Sequence, residues 1–342
     1  MKFYCGMDLG ARHCQVCVID EDLSIHVQQK VRNELPRIIH LIEPFKDTLQ
    51  AVVESTFNWY WLVDGLEESG YDVSLAHTLG LYMITGAKVK TDRRDALALA
   101  KLLKAGMIPK SYIYPKHTRP IRDLLRRRAH LVTLRAVEYS SMRMFLMRHG
   151  VLDHTRNDIK CAVEEDLQGW FTHPLSNLHA EQQLQRIRLY TEQIEKLETQ
   201  IFATTRECPD YDRLITIPGI GKILAITILY EVGEISRFQN ARHFSSYCRL
   251  VPGIAQSGSS TRRGRGSKQG NPYLKWAFSQ AATYAVRYYP KIRRSFDRHL
   301  KRHSGRARKL ITYNIIAHKL ALAAFHVLRD ETSYQEEMLF TT

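Results

Sequence analysis

The chain has 342 residues, enough for two or three domains, and with 44% hydrophobic and 25% charged residues it can bury cores of ordinary size. Its 50 Lys and Arg against 35 Asp and Glu leave a formal charge of +15. That surplus points to a polyanionic partner, because clustered cations gain by releasing the counterions condensed on phosphate. No apolar run approaches the ~18 residues of a bilayer span and no signal peptide opens the sequence, so a cytoplasmic protein without a membrane partner is expected.

Residues 3–9 and 14–20 read as two strands joined by the Gly10–His13 turn, with a third short strand over Ile25–Gln29. Residues 34–48 have helical apolar spacing at Leu35, Ile38, Ile39, Leu41 and Ile42. A buried strand Leu49–Glu54, a helix Trp59–Ser69 and a strand Tyr71–Ala76 follow, then a helix from near Thr91 to Gly106. Three strands followed by alternating helices and strands is the order of an RNase H-like α/β domain. From about Thr118 to Arg148 the pattern is one long basic helix. Within it the run Arg126, Arg127 and Arg128 is a candidate nucleic-acid contact.

A second long helix spans roughly 178–205, with Ile187, Tyr190, Ile194, Leu197 and Ile201 at the 3-4 spacing of a coiled-coil seam. An ordinary packed helix has the same signature, so an antiparallel hairpin and a dimerisation arm are both open. Leu214–Lys222 resembles a helix-hairpin-helix element, in which Gly219, Gly221 and Lys222 would meet a phosphate. A plain glycine turn between buried helices is the other reading. Ser257–Asn271, rich in Gly, Ser and Arg, is expected to be a mobile loop, and Tyr273–Tyr289 and Leu310–Leu328 read as amphipathic helices.

The charge is concentrated. Residues 88–148 carry 16 Lys and Arg against 4 acids, and residues 257–310 carry 15 against 1. Solvated faces mix signs, so two basic blocks suggest two nucleic-acid surfaces. Cys14 and Cys17 have the C-x-x-C spacing of a zinc or redox site, but they lie in a strand pattern and no second pair completes a tetrahedral set. Reduced thiols are expected.

Four carboxylates stand out by position. Asp8 sits on the first strand, and Glu54 ends a buried strand, where a charge is costly unless compensated. Asp92 and Asp95, three apart at a helix start, share one face. In an RNase H-like order these positions converge at one sheet edge, and hard oxygen ligands suit Mg²⁺ or Mn²⁺ in phosphodiester chemistry. Asp92 and Asp95 also suit a plain role in complementing the helix dipole.

Three motifs carry a resemblance. They are Gly6–Gly10 (Gly-Met-Asp-Leu-Gly), Val53–Thr56 (Val-Glu-Ser-Thr) and Lys90–Ala96 (Lys-Thr-Asp-Arg-Arg-Asp-Ala). With Phe244–Pro252, Ser257-Gly258 and Gly270–Ala277, they make the chain resemble the DEDD insertion-sequence transposases, relatives of the Piv DNA invertases and RNA-guided bridge recombinases. One departure is Arg249-Leu250, where many relatives have Gly-Leu.

The resemblance implies a RuvC-like domain over 1–115 and a long basic helix and coiled-coil region over 116–207. A mainly helical C-terminal transposase domain over 208–330 and a tail over 331–342 complete it. It implies Mg²⁺ or Mn²⁺ at Asp8, Glu54, Asp92 and Asp95, and a nucleophilic Ser257 that becomes joined to DNA, with Arg262, Arg263, Arg265 and Lys268 beside it for the phosphate. Donor and target DNA, a structured guide RNA and a homo-oligomer, dimer or tetramer, are the implied partners. A Piv-like invertase, a RuvC-type junction nuclease without a covalent intermediate, and a non-enzymatic nucleic-acid scaffold are the rival readings.

Overall fold

The computed structural model describes residues 1–85, 92–205, 208–257, 260–264 and 269–335. The chain divides into two units, Met1–Lys116 and His117–Thr342.

The first unit is a five-stranded mixed sheet with helices on both faces. Its strands are β1 (Phe3–Leu9), β2 (His13–Ile19), β3 (Ile25–Arg32), β4 (Leu49–Glu54) and β5 (Asp72–Ala76), in the order β3-β2-β1-β4-β5. β1–β2 and β2–β3 pair antiparallel, and β1–β4 and β4–β5 pair parallel. The helices are α1 (Leu35–Ile42), α2 (Tyr60–Glu68), α3 (Thr78–Thr85) and α4 (Asp92–Lys104). The helix expected over 34–48 is shorter. Pro44 has no N–H to continue the α ladder, and Glu43–Thr48 tightens into a 3₁₀ turn.

Strand alternation divides the sheet's side chains between two cores. Cys5, Met7 and Leu9 of β1, with Ala51 and Val53 of β4, pack with Ile38 and Ile42 of α1 and Leu62 and Leu66 of α2. On the opposite face Cys17 and Ile19 meet Ala96 and Ala100 of α4, and Val52 meets Leu99. Gly6 makes this second layer possible. A Cβ there would collide with the Ala96 carbonyl oxygen and the Ala100 amide, so glycine lets α4 lie directly on β1.

The second unit is built mainly of helices: α5 (Arg119–Arg148), α6 (Arg156–Cys161), α7 (Glu164–Trp170), α8 (Pro174–Thr204), α9 (Pro209–Ile215), α10 (Lys222–Val232), α11 (Ala241–Tyr247), α12 (Pro272–Tyr288), α13 (Pro290–Lys301) and α14 (Arg308–Arg329). A hairpin, β6 (Gly253–Ser257) and β7 (Ser260–Gly264), lies between α11 and α12.

α5 and α8 run antiparallel. Arg128 pairs with Glu198, Arg135 with Thr191, Glu138 with Arg186 and Ser141 with Gln183, the numbers falling on α8 as they rise on α5. Ile187, Ile194 and Ile201 of the expected seam are buried within the chain. The seam therefore serves an intrachain hairpin, which removes it as a free dimerisation stripe. Between the two helices' ends, Ile159, Leu167 and Phe171 of the short α6–α7 segment close a small core with Met142 and Leu146.

The C-terminal helices surround Phe244, Phe278 and Phe325. α14 has an 18-residue window with mean hydropathy 1.3, long and apolar enough by composition to cross a membrane, contrary to the sequence expectation, but half of that window is buried inside this unit. Its apolarity is that of a core helix: Ile316, Leu320, Ala324 and Phe325 belong to the cluster.

One buried charge ties this unit together. Glu231 on α10 is 1% exposed. It accepts from Arg122 Nε at 3.1 Å, Arg126 Nε at 2.6 Å and Asn271 Nδ2 at 2.7 Å. Burial pushes its pKa up, but the two guanidiniums and the amide outweigh that, and the carboxyl is held below its usual range. Asn271 also caps α12, its Oδ1 accepting from the amides of Tyr273 and Leu274.

Candidate functional site

Parallel pairing aligns Met7 with Val53, so the next residues along, Asp8 and Glu54, lie side by side near the C-terminal ends of neighbouring strands. Both lie two positions beyond residues that face α4, Gly6 and Val52. Alternation therefore turns both carboxylates toward α4. The helix begins with Asp92 and Asp95 in its first turn, and Ala96 sits over Gly6. Strand pairing and the packing of α4 on β1 thus bring four carboxylates to one corner of the sheet.

The electrostatics carry the same message. Asp8 has its pKa pushed up to about 6, first by burial and then by the charges of Glu54, Asp92 and Asp95, with Lys30 acting the other way. Carboxylates crowded around Asp8 in this way favour a proton or a cation there.

Lys30, which no sequence motif singles out, places a positive charge beside this group. Its Nζ donates to Asp92 Oδ2 at 2.8 Å, and that bond, with the lysine's charge, holds Asp92 below the ordinary carboxylate range. Gln28, two residues earlier on β3, donates to the Arg93 carbonyl at 3.2 Å. The edge strand thus grips the first turn of α4 through side chains of one face. Polar alternation in β3 is an ordinary edge-strand signal, so nothing in the sequence distinguished Lys30.

The donor set, four carboxylates with hard oxygen donors, fits a divalent cation by its chemistry. Among the described residues no three His, Cys, Asp or Glu side chains are already drawn to metal-holding distances. The carboxylates interact through their charges without forming a closed cage, and Asp92 is turned to Lys30.

Cys14 and Cys17 form no second centre. Three residues apart on one strand, they point to opposite faces, Cys14 into the layer beneath α1 and α2 and Cys17 into the layer beneath α4. Both are free, and burial pushes their pKa values to about 12 and about 11.

The second unit distributes the remaining candidates differently. Arg126 is bonded to Glu231 and stacks on Tyr273 at 4.5 Å, and Arg128 pairs with Glu198. Both are engaged within the fold, while Arg127 between them is exposed. A helix presents three consecutive residues on different faces, and only one of the three points outward here.

Gly219, at φ +82°, lies against α12, where a Cβ would strike the Ala281 carbonyl and come within 2.9 Å of the Ala285 amide. Its glycine is thus required for packing. Gly221 and Lys222, at the start of α10, are exposed and open.

Ser257 closes β6 in register with Ser260, so the segment expected to be a mobile loop contains a hairpin. Its strands twist together through paired backbone groups, which a Gly- and Ser-rich composition does not prevent. Arg262 and Arg263 lie on β7, opposite Ala255 and Ile254. Arg265 and Lys268 lie outside the described residues, as does the Lys90-Thr91 part of the third acidic motif.

With this geometry in place, comparison with known proteins gives the class: two transposase family models match the chain. A transposase model of the DEDD type matches residues 5–150, which hold all four carboxylates, and the model "Transposase IS116/IS110/IS902 family" matches residues 211–297. The chain belongs to this IS110-type transposase family.

It is 25% identical over 356 residues to the pilin gene-inverting protein of Moraxella bovis, covering 98% of this chain and 99% of that one. It is 25% identical over 292 residues to the transposase for insertion sequence element IS1328 of Yersinia enterocolitica, covering 81% and 82%. With y4qE of Sinorhizobium fredii it shares 27% identity over 208 residues, 60% of this chain and half the length of that protein.

Proposed function

We propose that the chain is an insertion-sequence DNA recombinase whose N-terminal unit is a RuvC-like metal-dependent domain and whose nucleophile is Ser257. The observation that carries the reading is the convergence of four carboxylates, Asp8 and Glu54 on paired strands turned toward α4 and Asp92 and Asp95 in the first turn of that helix, an arrangement that also pushes the Asp8 pKa up. Asp8, Glu54, Asp92 and Asp95 would hold Mg²⁺ or Mn²⁺. The bound cation would supply stabilisation of the charge that develops on phosphate oxygens during strand cleavage. The sheet order β3-β2-β1-β4-β5, with acids at the ends of β1 and β4 and at the start of α4, supports the RuvC-like assignment.

In the reaction the Ser257 hydroxyl oxygen bonds to a DNA phosphorus, the hydroxyl proton departs, and one bridging P–O bond breaks, its oxygen taking up a proton. The link conserves the phosphodiester's energy, so the strand can be rejoined to a new end without an external energy source. A structured guide RNA and a homo-oligomer belong to the same reading through the family resemblance.

Wild-type protein incubated with element-end DNA and Mn²⁺ is expected to give a covalent protein–DNA adduct that Ser257→Ala lacks. Asp8→Asn should reduce cleavage by at least two orders of magnitude. Normal cutting by Ser257→Ala, with no adduct in the wild type, would instead make the chain a hydrolytic junction nuclease.

The end-to-end match to a pilin gene-inverting protein favours one second reading, a site-specific invertase. Recombination confined to an inverted pair of sites on one molecule, with no insertion into a second plasmid, would select it.

A further inference from the structure

The C-terminal half of α12 leaves two large aromatic side chains in water. Tyr284 and Tyr288, one helical turn apart, are 53% and 60% exposed. Their rings are near parallel, at 17° with centroids 6.2 Å apart. The Arg287 guanidinium lies 5.2 Å from the Tyr288 ring centre.

α13 begins immediately beyond, at Pro290. Along it Lys291, Arg294, Arg298 and Lys301 recur at 3-4-3 spacing and are all exposed. That spacing lines one face of a helix, over roughly 15 Å. The helix's acid, Asp297, is bound to Arg293 at 3.0 Å and lies off this stripe.

Positive charge is crowded here. His299 is held below its ordinary value by burial and by Lys319, Arg302, Arg298 and His303, and Lys319 is lowered by burial and by Arg298. Repulsion of this kind is relieved by a polyanion.

We propose that the Tyr284–Tyr288 pair and the basic stripe of α13 form a binding site for a single-stranded segment of nucleic acid. Its bases stack on the tyrosine faces and its phosphates follow the stripe. Paired bases in a duplex already have their faces covered, so a duplex has no use for the exposed rings. A protein partner would meet the same rings inside a field of cations, which favours a phosphate chain instead. The proposal rests on the recombinase reading and deepens it, because strand exchange exposes unpaired bases and a structured RNA presents them in loops.

The test is fluorescence anisotropy on the full chain with labelled oligothymidylate, oligouridylate and a DNA duplex of equal length. The double variant Tyr284→Ala, Tyr288→Ala is expected to bind single strands roughly 10- to 100-fold more weakly with duplex binding unchanged. Tyr284→Phe, Tyr288→Phe should retain wild-type affinity because it keeps the stacking faces. Arg294→Gln with Arg298→Gln should flatten the salt dependence of single-strand binding by about 1.4 in log–log slope. Preference between the two homopolymers assigns the segment to DNA or RNA.

Unchanged single-strand affinity in the alanine variant overturns the proposal, as does a change confined to self-association in sedimentation. Wild-type protein that binds duplex but neither homopolymer removes this site and leaves the recombinase reading standing. Failure to bind any nucleic acid removes both.

Discussion

Asp8 sits beside three other carboxylates, and its raised pKa makes a signed prediction. A carboxyl at about 6 in the fold and near 3.9 in the unfolded chain binds its proton more tightly when folded. Its contribution to stability is complete below about pH 4, where both states are protonated, and is lost as pH rises through 6. Wild type and Asp8→Asn should therefore melt alike near pH 4, and the Asn variant should melt higher above pH 6. Mn²⁺ should raise the melting temperature of wild type at pH 7.5, raise it less at pH 5.5, where protons compete for Asp8, and leave Asp8→Asn almost unmoved. Calorimetry at a series of pH values, with and without the ion, checks all three.

Arg249 is a second residue with a consequence of its own. It takes φ +56°, just after α11. Its amide and that of Leu250 close the helix end on Ser246 and Ser245, a turn that favours glycine. Arg249 also donates from Nε to the Gly270 carbonyl at 2.9 Å. Both Arg249→Gly and Arg249→Ala lose that bond, but only glycine escapes the left-handed penalty. Glycine should therefore be the more stable of the two by about 1 kcal/mol in urea unfolding.

At the scale of elements, the second unit is held by one buried ion cluster and one close helix contact. Glu231→Ala leaves the buried Arg122 without its carboxylate and should cost about 3–5 kcal/mol. Glu231→Gln, which keeps the shape and part of the hydrogen bonding, should cost less. Gly219→Ala should be as damaging as the first, since it combines an unfavourable φ with a Cβ driven into the α12 backbone. Denaturant midpoints of the three variants, measured with far-UV circular dichroism, give the order directly.

The same elements show what a sequence pattern conveys. The long helices were legible to within a residue or a few at their ends, since 30 residues of α5 give eight turns of periodic signal. The β6–β7 hairpin was not, because Gly, Ser and Arg carry no alternation of hydrophobic and polar residues. The arginine run 126–128 was legible as charge but not as role, because Glu231 lies over a hundred residues away.

At the scale of the molecule, charge is the property that matters most. With a formal +15 concentrated in two blocks, DNA affinity should depend steeply on salt. If about six or more phosphates are neutralised, affinity falls roughly 1,000-fold or more between 50 and 200 mM salt. A shallow dependence in a filter-binding titration would mean that most of these cations, like Arg126 and Arg128, are engaged within the fold.

Composition and periodicity by themselves determined the mixed α/β character of the first unit and the long helices, and they singled out the four carboxylates by position. These rest on local rules, the period of a strand or helix and the cost of a charge on a buried strand. Only the tertiary structure decided that Lys30 is the counter-charge at Asp92, that Ile187–Ile201 packs within the chain, and that Gly219 exists to let α12 approach. It also decided that Arg126 serves Glu231. Each depends on which distant residue arrives opposite, and a contact between residues far apart in sequence leaves no periodic trace in either segment.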